Sequence, residues 1–523
     1  MEQRSVVLTQ TTRPEEHHTT TKYRWMRYFF TEDVSPDNRP IVELQRRASW
    51  IGVALILQAL NEIDHNWYIP YLMPFGSLIP LALILGSFAA ICMAFRPATL
   101  KQQAQHLHRQ PRRWQRIVLI LTLLTTIAGG IEFGRTIVMC FLPPQFSNDG
   151  TSLDTNAAVI LLNGQNPYTD SNMLDLARRF PIQPNWTTPL RQGEFANRLE
   201  YPTLVEFQTV LDTDLKAGQA DEFESKVSYP ALSFLTLVPF ALFNDYNVLP
   251  LYLLSYLLLV AVAWKVVRPE LRPWVPLLAM ANVGMWTSVV GGNLDIFSTL
   301  LIALAWLLRD RRWSSALFLG LALATKQVGW LFVPFYIIMV WRHCGPKEML
   351  YRLAIVGGIG LAFNLPFILW NPQAWLAGVL APIADPMFPL GVGLINLSVT
   401  HLLPFFPAWV YGVLEIGTML LSLVWYWRIC RKHPEAAMLL AVLPLIFAWR
   451  SLPSYFYCAA FPMFMLMAAK ALPRMQPIKE IARHAVGMPF NGDEIMLPSI
   501  PAASTRTWHP QGVPLRWLQQ MTK

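Results

Sequence analysis

Charge is what this sequence has least of. Only 14% of its 523 residues are Asp, Glu, Lys or Arg, against 54% hydrophobic, where a soluble domain carries about 25% charged residues. That leaves too little polar surface to face water on every side and excludes an ordinary soluble protein. The length alone would allow several soluble domains, but repeated apolar runs point to one helical membrane domain. Cysteine is scarce too. Cys92, Cys140, Cys344, Cys430 and Cys458 lie in or beside apolar segments without disulfide or metal spacing, and read as small hydrophobes. Residues 1–47 lack a secretory-signal pattern and are expected to form a cytoplasmic tail; His17 and His18 have no further ligands around them. The net charge of +9 comes from Lys and Arg in short loops between apolar segments, which excludes a nucleic-acid partner and fits a positive-inside bias.

What is abundant agrees with a membrane. Twenty Trp and sixteen Tyr suit its interfaces. Apolar stretches fall at roughly 48–60, 71–95, 116–140, 246–267, 274–290, 293–308, 314–325, 328–341, 351–370, 408–427, 435–449 and 456–470. The expected fold is therefore all-α, a polytopic bundle of about twelve transmembrane segments. Basic clusters at Arg46–Arg47, 96–116, 265–272, Arg309–Arg312, 342–352, Arg428–Lys432 and beyond Lys470 belong in the cytoplasm. The parity works if 229–243, which contains two prolines, is a surface or re-entrant helix. The chain then divides into a tail (1–47), an additional N-terminal hairpin (48–95), a main domain (96–470) that includes the long connection 141–228, and a C-terminal tail (471–523) with a surface helix near 477–486. Both termini are cytoplasmic. The connections 61–70, 141–228, 291–292, 326–327, 371–407 and 450–455 face outward, and nearly every unusual polar residue sits in them.

The long connection opens with Asp149 directly after a membrane helix. Thr155–Leu162 reads as a short helix with Asp154 as its N-cap and Gly164 as its terminator, followed by Asn166-Pro167-Tyr168. Read alone, this is a capped interfacial helix with surface acids. The order of motifs resembles something more specific: an Asp after a membrane helix, an alanine-containing short helix ending in a leucine pair, and G-x-N-P-Y. Tyr201-Pro202, Tyr229-Pro230, Gly291-Gly292-Asn293-Leu294-Asp295, Ser315–Lys326, Asn364-Leu365-Pro366-Phe367, Trp449-Arg450-Ser451 and Tyr455-Phe456 follow in sequence. The set, from about 116 to 470, resembles the GT-C-fold glycosyltransferases of family 87, the polyprenol-phosphate-mannose mannosyltransferases and their relatives. The hairpin 48–95 lies outside it, and 141–228 is longer than the resemblance implies.

The resemblance implies a polyprenyl-phosphate sugar donor, with mannose the first guess, and single displacement with inversion onto an extracytoplasmic glycan, lipid or protein acceptor. An attacking hydroxyl must lose its proton, so an interfacial carboxylate can serve as general base; Asp149 matches the family's catalytic Asp, with Asp154 as reserve or orienting partner. The leaving phosphate gains negative charge, which fixed cations stabilise. Lys326 and Arg450 are expected to bind it, because a cation at bilayer depth costs about 2.5–3.5 kcal/mol and is retained for function. Snorkelling of Lys326, or a local carboxylate for Arg450, also accounts for them. Asn293 and Asp295 are accessory candidates, although a helix N-terminus favours Asp295 anyway. Asn166, Tyr168, His401 and Tyr455 are candidate substrate contacts, although a lone His is more often structural and interfacial belts account for most aromatics placed like Tyr455. Neither cofactor nor protein-bound metal is expected, and Mg²⁺ held by the substrate phosphate stays open. Besides this transferase, a transporter or lipid flippase and a non-catalytic scaffold remain; no internal repeat favours transport.

Overall fold

The computed structural model describes residues 21–31, 39–66, 78–96, 113–143, 146, 149–180, 186–456 and 459–469, and these are almost wholly helical. The helices used below are α1 (Arg39–Asn66), α2 (Leu78–Phe95), α3 (Arg113–Met139), α4 (Asp149–Leu162), α5 (Leu204–Ala217), α6 (Leu249–Val266), α7 (Val283–Val290), α8 (Asp295–Leu307), α9 (Arg312–Thr325), α10 (Val328–Cys344), α11 (Pro346–Trp370), α12 (Pro372–Ala384) and α13 (Ala408–Ile429). The sheet is two residues long: β1 (Leu390–Gly391) runs parallel to β2 (Arg450–Ser451), pairing Leu390 with Arg450.

Five of these helices, α2, α3, α6, α11 and α13, are long and apolar enough to cross a membrane. In α3, 27 residues without a proline give about 40 Å at 1.5 Å per residue, more than the ~30 Å of hydrocarbon. Its Ile117, Leu121, Leu124, Ile127 and Ile131 are bare of protein cover, a lipid-facing stripe at helical spacing. In the all-α membrane bundle, several other apolar stretches are shorter or broken. The stretch 274–290 is cut at Asn282, whose side chain accepts from the amide of Met285 at 3.3 Å and starts a new helix, α7. Segment 229–243 becomes two helices of 4 and 5 residues, too short to cross. The stretch read at 48–60 is the middle of a 28-residue helix. The helix proposed near 477–486, like Cys458 and the histidine pair of the tail, lies outside the described residues.

The main core runs through α1, α2 and α6–α10, with Trp274, Trp286 and Trp306 fully buried in it. A separate aromatic cluster of Phe146, Phe195, Phe207, Phe223 and Phe388 holds a capping layer around α5. Thr203 and Glu206 form a reciprocal capping box there. Hydrogen bonds from Arg198 and from Thr203 hold the Glu206 carboxyl down at about 2.

Candidate functional site

The small residues of α9, with Ala316, Gly320, Ala322 and Ala324 buried, let it pack closely between α8 and α11. The helix delivers Lys326 at its end, where the backbone turns extended. Lys326 Nζ lies 2.7 Å from Asp295 Oδ1, with the two side chains only 6% and 7% exposed. The rings of Tyr229 and Tyr455 stand over the ammonium, centroids 4.9 Å and 5.8 Å away, a cation–π box closed on one side by the carboxylate. The second oxygen of Asp295 is buried with no hydrogen-bond partner among the described residues. The fully buried Tyr252 hydroxyl, within electrostatic range of Lys326 and Asp154, has none either. Burying charge is costly unless it is paired and fully hydrogen-bonded. A centre left partly unmet is where an incoming polar ligand gains most.

Asp295 is carried by the glycine turn. Gly291 ends α7, Gly292 takes φ 64°, a conformation that glycine adopts without a Cβ penalty, and the Asn293 side chain accepts from the Asp295 amide at 3.1 Å. Asn293 thus shapes the turn that aims Asp295. The Thr151 hydroxyl donates to the Gly292 carbonyl, tying the first turn of α4 to it. Gly150 touches the other wall: a Cβ there would stand 2.6 Å from the Tyr229 ring, closer than side chains tolerate.

The helix therefore starts earlier than the sequence suggests. Asp149, not Thr155, is its first residue, so Asp154 is no N-cap. It lies in the second turn, buried at 1% exposure, and accepts from Ser233 Oγ at 2.9 Å; the packing of α4 against 229–243 overrides the local capping signal. The side chain of Asp149 lies outside the described residues, while its backbone adjoins Gly150 and hence the Tyr229 wall. Gly164 does end the helix, at φ 76°.

The other expected residues fall into different places. Asn166 caps the short helix Pro167–Asp170, its oxygen accepting from the Tyr168 amide at 3.1 Å. Tyr168 is buried among Phe234 and Phe367, and its hydroxyl donates to the Tyr229 carbonyl at 2.8 Å; both serve the wall from behind. His401 is exposed, 3.9 Å from Glu200. Arg450 sits on β2 with a guanidinium nitrogen 2.8 Å from Met387 Sδ; no described contact joins it to Lys326, although Tyr455 lies just beyond it in the chain.

Sequence reasoning missed Tyr229 and Tyr252 as site residues, and also Gln327 and Asn364. The only signal for Tyr229 was its Tyr-Pro step. Gln327 donates to the carbonyls of Ser228 and Val379. Asn364 accepts from the Ala231 amide at 2.9 Å and from Trp375 Nε1 at 3.1 Å. Both fix the backbone on either side of Tyr229. Nearby, Lys226 Nζ lies 2.7 Å from both oxygens of Asp385. Burial, and then the adjoining Asp385, push the buried Glu224 carboxyl well above its usual range.

Residues 228–453 match the model of glycosyltransferase family 87. The coarse function follows: the chain is a membrane glycosyltransferase. The family 87 region holds Tyr229, Asn293, Asp295, Lys326, His401 and Arg450. It is narrower than the stretch 116–470 that the motifs suggested, so Asp149, Asp154, Asn166, Tyr168 and Tyr455 rest on sequence pattern and geometry. No curated protein and no solved structure matches the chain. Among the described residues, no group of three or more His, Cys, Asp or Glu stands together as a metal site.

Proposed function

We propose that the protein moves a sugar, mannose in the first instance, from a polyprenyl-phosphate donor to an acceptor hydroxyl on the extracytoplasmic side of the cell membrane. One observation carries the reading: a buried lysine in the family 87 region, held by one carboxylate between two tyrosine rings, beside the first turn of the helix that begins at Asp149. Membrane lipids and the donor are the partners, and the acceptor is a glycan, lipid or protein. Both chain ends lie in the cytoplasm in this scheme, with 141–228 opposite.

The reaction is a single displacement with inversion. The acceptor oxygen bonds to the anomeric carbon as the bond from that carbon to the phosphate oxygen breaks, and the hydroxyl proton passes to Asp149. The departing polyprenyl phosphate gains charge, which the Lys326 ammonium stabilises where it develops. Arg450 is the second phosphate candidate, suited to bidentate contact once freed from Met387. Asp295 holds Lys326 in place until the phosphate arrives. The scheme asks for no cofactor. The family match favours transfer over the transporter and scaffold alternatives.

The test incubates purified protein with a panel of labelled polyprenyl-phosphate sugars and identifies the products by mass spectrometry. Asp149→Ala is expected to lower transfer by about 10²–10⁴-fold, the usual worth of a general base, with normal insertion and folding. Wild-type transfer by that variant removes Asp149 from the mechanism. Cytoplasmic labelling of a cysteine at position 149 ends the sidedness.

A further inference from the structure

The N-terminal hairpin lies outside the matched region, yet it buries a carboxylate inside the protein. Glu62, on α1, is 7% exposed. It stands 19 residues beyond Glu43, the acid that pairs with Arg46 and Arg47 near the start of the same helix. At 1.5 Å per residue the two acids are about 28 Å apart, close to the full hydrocarbon thickness. Glu62 is therefore at the opposite end of the bundle from the basic cluster. Gln58 and Asn61 beside it are buried as well, each with a side-chain oxygen lacking a hydrogen-bond partner among the described residues. Such a polar turn inside a membrane bundle is expensive and is kept for a reason.

Its partner shows the reason. The Thr287 hydroxyl lies 3.1 Å from Glu62 Oε2 and 2.9 Å from the carbonyl of Gly284 in its own helix. Thr287 is on α7, one turn before Gly291, and the Gly291 amide donates to the Thr287 carbonyl at 2.9 Å. From there the glycine turn leads to Asn293 and Asp295, the counter-ion of Lys326. The hairpin reaches the opposite wall independently: Phe88 of α2 meets Phe456 edge-on, ring centroids 5.4 Å apart, next to Tyr455. One added element thus touches two of the three segments that enclose the ammonium, those of Asp295 and Tyr455.

We infer that Glu62 is a positioning residue for the lysine centre, holding the glycine turn in register through Thr287. It touches no reacting atom and acts through α7. The inference rests on the proposed transfer for its kinetic consequence, but the tether has a readout of its own.

The experiment compares Thr287→Val, Thr287→Ser, Glu62→Leu and Glu62→Gln in the full-length protein, by hydrogen–deuterium exchange over 288–296 and by steady-state kinetics with the active donor. Removing the hydroxyl or the carboxylate oxygen is expected to speed exchange of the turn amides about tenfold, the equivalent of one hydrogen bond of about 1.4 kcal/mol, and to lower kcat more than it raises the donor KM. The two conservative variants, which keep an oxygen at the contact, are expected to restore both. Unchanged exchange in Thr287→Val and Glu62→Leu overturns the inference. So does a serine variant as damaged as the valine one, because that marks a packing role. A wild-type protein that transfers nothing from any polyprenyl-phosphate sugar sinks the proposed function, while the exchange data still decide the tether.

Discussion

Two lysine–aspartate pairs in this molecule have the same length and opposite surroundings. Lys326–Asp295 and Lys226–Asp385 both close to 2.7 Å, but the side chains of the first are 6% and 7% exposed and those of the second 44% and 14%. The Lys226 pair is a clasp between the segment before Tyr229 and the end of α12, open to water, and such pairs contribute about 0.2–1 kcal/mol. The Lys326 pair is almost wholly buried. Desolvating both charges cancels much of their attraction, and an apolar pair of equal volume often serves stability as well or better. Distance alone does not separate a clasp from the centre proposed to receive the donor phosphate. Burial, aromatic walls and an unsatisfied carboxylate oxygen do.

The contrast is broken most sharply by Lys326→Met. Transfer is expected to fall about 10²–10³-fold, as when one preorganised stabilising group is removed. Thermal unfolding in detergent should show a loss of about 3–5 kcal/mol from the stranded Asp295. Adding Asp295→Asn should return most of that stability and none of the activity; recovery of transfer by the double variant would show that the cation is structural. A smaller effect is expected at the open pair. Lys226→Met should cost no more than about 1 kcal/mol and leave donor kinetics near wild type, and a large kinetic defect would mean that the clasp belongs to the site.

The remaining effect is in the capping layer and shows only as a dependence on pH. Burial, and then Glu222, raise the Asp214 carboxyl to about 6, above its ordinary value of 3.8. A raised acid contributes stability below its unfolded value that is lost as pH rises through the folded one. The layer should therefore unfold at a higher temperature at pH 4 than at pH 7, relative to Asp214→Asn, in which this dependence disappears. A variant with the same pH profile as wild type removes Asp214 as its cause.

The class of fold was readable because it depends on composition and long apolar runs, which no tertiary contact reverses in a membrane. Lys326 was readable for a related reason: a lone cation after an apolar small-residue helix stands out. What sequence could not supply was pairing at a distance. Asp295 as partner of Lys326, Tyr229 as its wall and Glu62 as a support depend on segments 31, 97 and 225 residues apart, brought together only by packing. Asp154 misled because a capping pattern is local, while the Ser233 hydroxyl that binds it belongs to another segment. Arg450 looked equivalent to Lys326 by burial and sidedness, yet its side chain rests on Met387.

Gly150 bears no chemistry, but its bare Cα lets a tyrosine ring lie flush against the turn that starts with Asp149. The acid-bearing turn and the aromatic face of the lysine chamber are consequently one mechanical part. An alanine at 150 would wedge them apart and shift the cation's housing without altering a single charged group. Loss of function at so plain a position would look, in any mutational survey, like a defect with no active-site residue to blame.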